Sequence, residues 1–224
     1  VLPSVWIAGD AMHELLGKRK PILTAKRILA NQTFRDIYKA DNLTIDQRLK
    51  ITSLTFLFTD LKGSTALYER VGDLAAFDLV RAHFQALLDI IANEAGAVVK
   101  TIGDAVMATF VRPEQAFAAA LRMRKAMDAL NEARGTTDLV LKIGIHEGPC
   151  LAVMLNERQD YFGQTVNIAA RVQGLSVSQA IHVTGPIIET PDVAAMLDKA
   201  SIMPIRKHAA LRGITDKVVV FEIP

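Results

Sequence analysis

Cysteine is almost absent from this 224-residue chain. Cys150 is the only one, so no intrachain disulfide can form and nothing points to an oxidising compartment. Nor does it have the spaced His and Cys partners that a structural metal site needs. Aromatic residues make up only 6% of the chain, so Ala, Val, Ile and Leu must fill most of the core. No apolar run reaches the roughly 20 residues of a membrane helix. Val1–Ala8 is apolar but has no basic residue before it, which makes it a poor signal peptide. The formal charge is +2, too small for a protein built mainly to bind nucleic acid, although a local basic patch could still exist. There is no internal repeat and no low-complexity tract.

What is present suits one to two domains. Half of the residues are apolar, enough for a sizeable core. The chain opens on Val1 rather than Met, and the expectation is a fragment with regulatory or membrane parts upstream. Residues 1–50 differ from the rest and read as a helical linker. Ala25–Tyr38 has Ile28, Leu29, Phe34 and Ile37 near helical spacing. Lys18, Arg19, Lys20, Lys26 and Arg27 make this stretch basic. Two readings stand: solvated faces of linker helices, or a segment that relays an upstream signal or touches acidic lipid.

Residues 51–224 read as one catalytic unit. Thr52–Thr59 is an apolar strand ending in Asp60. Gly63-Ser64-Thr65 opens a long helix to about Ala92, broken near Gly72-Asp73. Ala97–Ile102 and Ala105–Phe110 form a hairpin turning at Gly103-Asp104. Pro113–Ala133 is a helix with Pro at its start, where Pro is tolerated. Leu139–His146 and Cys150–Leu155 read as a second hairpin, turning at Glu147-Gly148-Pro149. A short helix at Gly163–Gly174, a strand at Ala180–Thr184, a helix at Asp192–Lys199 and strands at Ile202–Ala209 and Lys217–Ile223 complete the chain. The order β-α-β-β-α-β, with elements appended, predicts an α+β fold. It is a split βαβ, ferredoxin-like, mostly antiparallel sheet with helices on one face.

Taken singly, Asp60 reads as a helix cap and Asp104 as a turn residue. Together they suit a pair of Mg²⁺ ions, which prefer hard oxygen ligands and take one or two carboxylates plus substrate phosphates. Between them, the turn at Gly63, Ser64 and Thr65 opens a helix whose free N–H groups can receive triphosphate oxygens. Lys100 singly reads as an exposed hairpin lysine, and Asp160 as a loop acid beside Arg158. Asn167 and Arg171 lie four apart, on one helix face. His146 reads as a packed or edge histidine, and His83 as one on a helix face.

Three segments resemble the catalytic domain of class III adenylyl and guanylyl cyclases. They are Phe58-Thr59-Asp60-Leu61-Lys62-Gly63-Ser64-Thr65, Lys100-Thr101-Ile102-Gly103-Asp104-Ala105-Val106-Met107 and the run from Asp160-Tyr161-Phe162-Gly163 to Arg171. They occur in that family's order and spacing, and the resemblance covers Ile51 to Pro224. It implies two Mg²⁺ or Mn²⁺ ions at Asp60, Leu61 and Asp104. It implies adenine selection by Lys100 and Asp160, because an adenine edge needs one donor and one acceptor. It implies that Asn167 orients the ribose and that Arg171 neutralises charge on the α-phosphate. Many relatives have Leu-Lys-Gly where this chain has Leu211-Arg212-Gly213, so Arg212 stands at a phosphate position with a different geometry from Lys. Ala105 also departs from the Gly of many bacterial relatives.

The implied reaction is ATP to 3′,5′-cyclic AMP and pyrophosphate, in a homodimer with composite sites, without nucleic acid, in the cytoplasm. The alternatives are a guanylyl or dual-specificity cyclase, and a silent cyclase-like domain for dimerisation or nucleotide sensing. A diguanylate cyclase or polymerase palm fits poorly, because the chain lacks a Gly-Gly-Asp/Glu-Glu-Phe-like turn.

Overall fold

The structure is a computed structural model and describes residues 25–33, 49–155 and 158–224. The chain order begins with α1 (Ala25–Leu29), β1 (Leu49–Leu61), α2 (Ser64–Val71), α3 (Asp73–Asn93), β2 (Ala97–Ile102), β3 (Ala105–Phe110) and α4 (Pro113–Arg134). It continues with β4 (Leu141–Leu155), β5 (Arg158–Phe162), α5 (Gln164–Gly174), β6 (Ile181–Thr184), α6 (Gly185–Ile188), α7 (Pro191–Ala200), β7 (Ile205–Ala209) and β8 (Val218–Ile223). The eight strands form one sheet in the order β2-β3-β1-β4-β6-β8-β7, with β5 paired to β4. Among the described residues only the β4–β6 pairing is parallel. The predicted split βαβ, mostly antiparallel sheet is therefore present. Basic Lys18, Arg19 and Lys20 and the predicted helix beyond residue 33 lie outside the described residues.

Alternation along the central strand builds two cores. Leu57 and Leu61 of β1, Val106, Ala108 and Phe110 of β3 and Ile143 and Ile145 of β4 face α3 and α4. Those helices answer with Leu79, Leu87, Ile91, Phe117, Met123 and Met127. Leu54, Phe56 and Phe58 of β1 and Met107 of β3 face the other way, toward Tyr161 and Ala169. Each fully buried Val, Leu, Ile, Phe or Met among them contributes about 1.5–3 kcal/mol.

Two expectations are corrected here. Helices cover both faces of the sheet, not one. Helix α5 lies on the face opposite α3 and α4, and glycines in β4 let it come close: a Cβ on Gly144 would collide with the Gln173 main chain, and one on Gly148 would lie 2.7 Å from Thr165 Oγ1. Second, Glu147-Gly148-Pro149 is not a hairpin turn. It runs inside the 15-residue strand β4. The β1–β4 register shifts between Ile51 and Leu54, opposite Pro149. A proline without an N–H fits such an irregularity, where a regular ladder position would not take it. The true hairpin is β4–β5, with Leu151 opposite Phe162 and Val153 opposite Asp160. Asp160 is thereby a strand residue rather than a loop acid.

The upstream segment is seated on the α5 face. Leu29 and Ala30 are buried against Phe56, Phe58, Cys150 and Tyr161. Tyr161 donates its hydroxyl hydrogen to the Leu29 carbonyl at 3.2 Å, and the Val98 N–H donates to Gln32 Oε1 at 2.7 Å. Arg27 is exposed, so one side of this segment is solvated and the other is packed. Among the described residues no helix is long and apolar enough to cross a membrane.

His146 shows how the same face treats a titratable group. It sits on β4 with Nδ1 2.7 Å from Thr184 Oγ1, and burial pushes its imidazole down to about 4. The folded chain thus resists protonation of a group that an unfolded chain protonates near its ordinary value of about 6.5. Stability from this group is full above that value and is lost as pH falls toward 4. The thermal midpoint is expected to decline between pH 6.5 and 4, and His146→Gln is expected to flatten that decline. An equal slope in the variant would assign the acid sensitivity to other groups.

Candidate active site

The acidic pair is positioned by sheet register. Thr59 of β1 pairs with Val106 of β3, so Asp60 follows the last β1 residue paired with β3, and Asp104 lies two residues before Val106. Thr59 Oγ1 accepts the Val106 N–H at 3.1 Å, which locks the two ends together. The tight turn before Asp104 needs Gly103 at a φ of +61°. Asp60 and Asp104 therefore converge at one end of the sheet. Asp60 Oδ2 accepts from Lys142 Nζ at 2.8 Å, directly across the β1–β4 register. Asp104 Oδ2 is buried and has no hydrogen-bond partner among the described residues.

This donor set fits a divalent ion of the Mg²⁺ type. It supplies hard oxygens, and one of them is a buried carboxylate atom that lacks a partner. Among the described residues there is no cluster of three or more His, Cys, Asp or Glu. Any further ligands must come from main-chain carbonyls such as that of Leu61, from water or from substrate phosphates. Lys142 is the residue that sequence reasoning missed. Its signal was a lysine opening the apolar alternation Leu141-Lys142-Ile143, but only the register shows that it faces Asp60.

The turn after Asp60 is open for anions. The Lys62 N–H is tied to the Val140 carbonyl at 2.8 Å. Gly63 adopts φ 70°, and α2 begins at Ser64 with no side-chain cap. First-turn N–H groups of a helix have no acceptor within it, so those of Ser64 and Thr65 are available to phosphate oxygens. The side chain of Thr65 lies outside the described set. Lys62 Nζ donates to the Val177 carbonyl at 2.7 Å, which ties this turn to the loop that follows α5.

Lys100 and Asp160 meet. They are 60 residues apart, on strands that are not neighbours in the sheet, yet Lys100 Nζ and Asp160 Oδ2 are 2.5 Å apart. Lys100 pairs with Met107, which places it on the α5 face. Asp160 is the better buried partner, at 16% side-chain exposure against 42% for Lys100. Its other oxygen accepts the Tyr161 N–H at 2.8 Å, which fixes the carboxylate.

Helix α5 presents the last pair. It buries Thr165, Ala169 and Val172, and Thr165 Oγ1 donates to the Pro149 carbonyl at 2.5 Å. Asn167 and Arg171 are left on the outer side, Asn167 exposed and Arg171 half-buried. The Arg171 guanidinium lies over the Leu211–Gly213 turn: a Cβ on Gly213 would be 3.5 Å from one of its terminal nitrogens. Leu211 anchors that turn in a small core with Val172 and Val220, and Arg212 beside it is exposed. Among the described residues neither arginine has a carboxylate partner. Within one chain, no hydrogen bond or ion pair among the described residues joins the Asp60–Asp104 end to Lys100, Asp160, Asn167 or Arg171.

Residues 47–222 match the family model described as the adenylate and guanylate cyclase catalytic domain, and residues 1–36 match a family of unknown function (DUF5939). An adenylate cyclase of Anabaena cylindrica is 27% identical over 186 residues, 76% of this chain and 36% of that protein. An adenylate cyclase of Streptomyces griseus is 31% identical over 161 residues, 71% of this chain and 37% of that protein. The chain thus spans about a third of the length of these relatives. The solved adenylyl cyclase CyaB from P. aeruginosa superposes with a TM-score of 0.68 at 26% identity, covering 80% of this chain and 96% of that one. The guanylyl cyclase Cya2 shares the fold, with a TM-score of 0.66 at 20% identity over 79% of this chain and 92% of that one. A matched model over residues 47–222 and a sheet that superposes on solved cyclases leave one conclusion: the chain belongs to the class III nucleotidyl cyclases and carries their catalytic domain.

Proposed function

We propose that the domain is an adenylate cyclase that converts ATP to 3′,5′-cyclic AMP and pyrophosphate at the interface of a homodimer. The carrying observation is the Lys100–Asp160 pair at 2.5 Å. Its ammonium is a donor and its carboxylate an acceptor, matching the N1 acceptor and N6 amino donor of adenine. A guanine edge carries the opposite pattern and would leave both groups mispaired, which a polar site penalises heavily. Without a base the two groups satisfy each other; an adenine edge exchanges that contact for one bond to each.

Asp60 and Asp104 would hold the ions, with Lys142 balancing the charge at Asp60. Bound Mg²⁺ or Mn²⁺ supplies Lewis-acid activation of the ribose 3′-hydroxyl and neutralises triphosphate charge. The N–H groups of the Gly63-Ser64-Thr65 turn receive phosphate oxygens. Asn167 holds the ribose so that its 3′-oxygen lines up with the α-phosphorus. Arg171 stabilises the charge that grows there as pyrophosphate leaves, and Arg212, beside the same turn, meets the terminal phosphates. Such positioning and charge stabilisation are most of what phosphoryl transfer requires. One hairpin, β2–β3, carries both Lys100 and Asp104, which supports a composite site, each subunit lending its acidic pair to a nucleotide whose base the other reads. Residues 1–50 then act as a signal-transducing linker, of which Leu29 and Ala30 rest on the catalytic sheet.

The deciding assay follows this chain with Mn²⁺ and either ATP or GTP. Cyclic AMP formation is expected to exceed cyclic GTP formation by at least about a hundredfold in kcat/KM. Equal turnover or a preference for GTP would sink the assignment, and no turnover with either would favour a silent domain.

A further inference from the structure

Strand β2 carries an irregularity that decides where Lys100 points. Ala97 pairs with Thr109 and Val98 with Ala108, but Lys100 pairs with Met107, so β2 gains one residue at Val99. With a regular ladder Lys100 would stand opposite Val106, whose side chain belongs to the core under α3 and α4. The extra residue puts it instead on the face of Met107, Tyr161 and Ala169, where it meets Asp160. A one-residue slip turns every side chain that follows to the opposite face of the sheet. Among the described residues β2 stands at the edge of the sheet, so its outer main-chain groups need a partner from elsewhere. Residues 25–33 supply one. Gln32 Oε1 accepts the Val98 N–H at 2.7 Å, on the residue just before the irregularity. Nearby on the same segment, the Leu29 carbonyl accepts the hydroxyl of Tyr161, the residue after Asp160, at 3.2 Å. Tyr161 is buried, edge-on to Phe56 with ring centroids 5.4 Å apart. One short segment thus holds both strands of the Lys100–Asp160 pair, although β3, β1 and β4 lie between them in the sheet order.

We propose that Gln32 is a positioning residue for base selection: by holding the Val98 N–H it keeps the β2 irregularity in the form that turns Lys100 toward Asp160. A movement of the 25–33 segment then changes how well the site tells one base from another. The inference rests on the adenine reading of Lys100 and Asp160 given above. The Lys100 side chain is 42% exposed, too open for packing to hold it. Its direction is left to the main chain that carries it and to Asp160. Gln32 is uncharged and bonds to a main-chain N–H, so it acts on the base through the place it gives Lys100 and not through its own field. Irregularities of this kind beside active sites serve to re-aim a side chain.

The test compares kcat/KM for ATP and for GTP in the 224-residue chain and in two variants. Gln32→Met keeps an unbranched side chain of similar length without the amide oxygen; Gln32→Glu keeps an acceptor. Gln32→Met is expected to lower kcat/KM for ATP at least about tenfold, the worth of one aimed hydrogen bond from a charged group, and to change that for GTP less than about threefold. Gln32→Glu is expected to keep the ATP-to-GTP ratio within about threefold of the unaltered chain. Equal losses on both nucleotides in Gln32→Met, an unchanged ratio, or a ratio lowered as much in Gln32→Glu each overturns the assignment. Gln32→Ala repeats the comparison should the methionine variant fail to fold. Amide hydrogen exchange at Val98 reads the anchor without turnover, and Gln32→Met is expected to speed it at least about tenfold while Gln32→Glu leaves it slow. Exchange that Gln32→Met does not alter overturns the anchor. An unaltered chain with no preference for ATP removes the adenine reading and with it the role in base selection, while Val98 exchange still shows whether Gln32 supports the strand.

Discussion

Asp104→Ala is expected to lower cyclase turnover about a thousandfold, equivalent to about 4 kcal/mol of transition-state stabilisation, while the thermal midpoint holds or rises. The two effects separate because of where the carboxylate stands. Asp104 Oδ2 is buried and unpartnered, so the folded state gains little from it and loses little without it. Asp60→Asn is expected to share the loss of turnover. Its partner Lys142 is partly exposed, with side-chain exposures of 23% and 31% for Lys142 and Asp60. Such a pair contributes no more than about 1 kcal/mol to stability. The measurement is cyclic nucleotide formation with Mg²⁺ and with Mn²⁺, beside thermal unfolding. Turnover that survives either substitution would rule out the two-metal mechanism.

Arg171→Ala is expected to reduce kcat about 100–1,000-fold with KM changed less than about threefold, as for other preorganised donors aimed at developing charge. The geometry behind this is an arginine with no carboxylate partner among the described residues, held over the Leu211–Gly213 turn. An arginine kept for stability would be paired. Steady-state kinetics on ATP decides: a raised KM with kcat intact would make Arg171 a ground-state contact instead. Mixing Arg171→Ala with Asp104→Ala extends the same prediction. Random pairing gives heterodimers in half of the population, each with one intact composite site, so activity should return to about a quarter of the unaltered level. A mixture as inactive as its components would place all the groups of a site in one subunit.

The local elements were largely legible. Strand β1 and the β2–β3 hairpin announced themselves through apolar β-branched and aromatic runs ending at Asp60 and Gly103-Asp104. The break at Gly72 between α2 and α3 and the proline start of α4 followed from backbone preferences. The miss at Glu147-Gly148-Pro149 came from reading glycine and proline as a turn. In the fold that glycine makes room for Thr165 of α5, and the proline meets an irregularity of β1. Both causes are contacts with segments far away in the chain. His83 does lie on a helix face, and the structure adds that this face of α3 is the buried one.

Asp60, Asp104, the Gly63-Ser64-Thr65 turn, Lys100, Asp160, Asn167 and Arg171 were nameable as candidates because three segments resemble the cyclase motifs; taken singly, the two acids of the pair read as cap and turn residues and Lys100 and Asp160 as a hairpin lysine and a loop acid. Only the tertiary structure decided their company. Register across β1 and β4 set Lys142 against Asp60. The fold of the sheet face brought Lys100 to Asp160 across 60 residues. Packing of α5 and the Leu211 core laid Arg171 over Gly213, the residue after Arg212. Spacing along a chain determines which side chains share a strand or helix face. Which faces then meet is fixed by burying apolar surface and pairing strands over long separations, and that information no single motif contains.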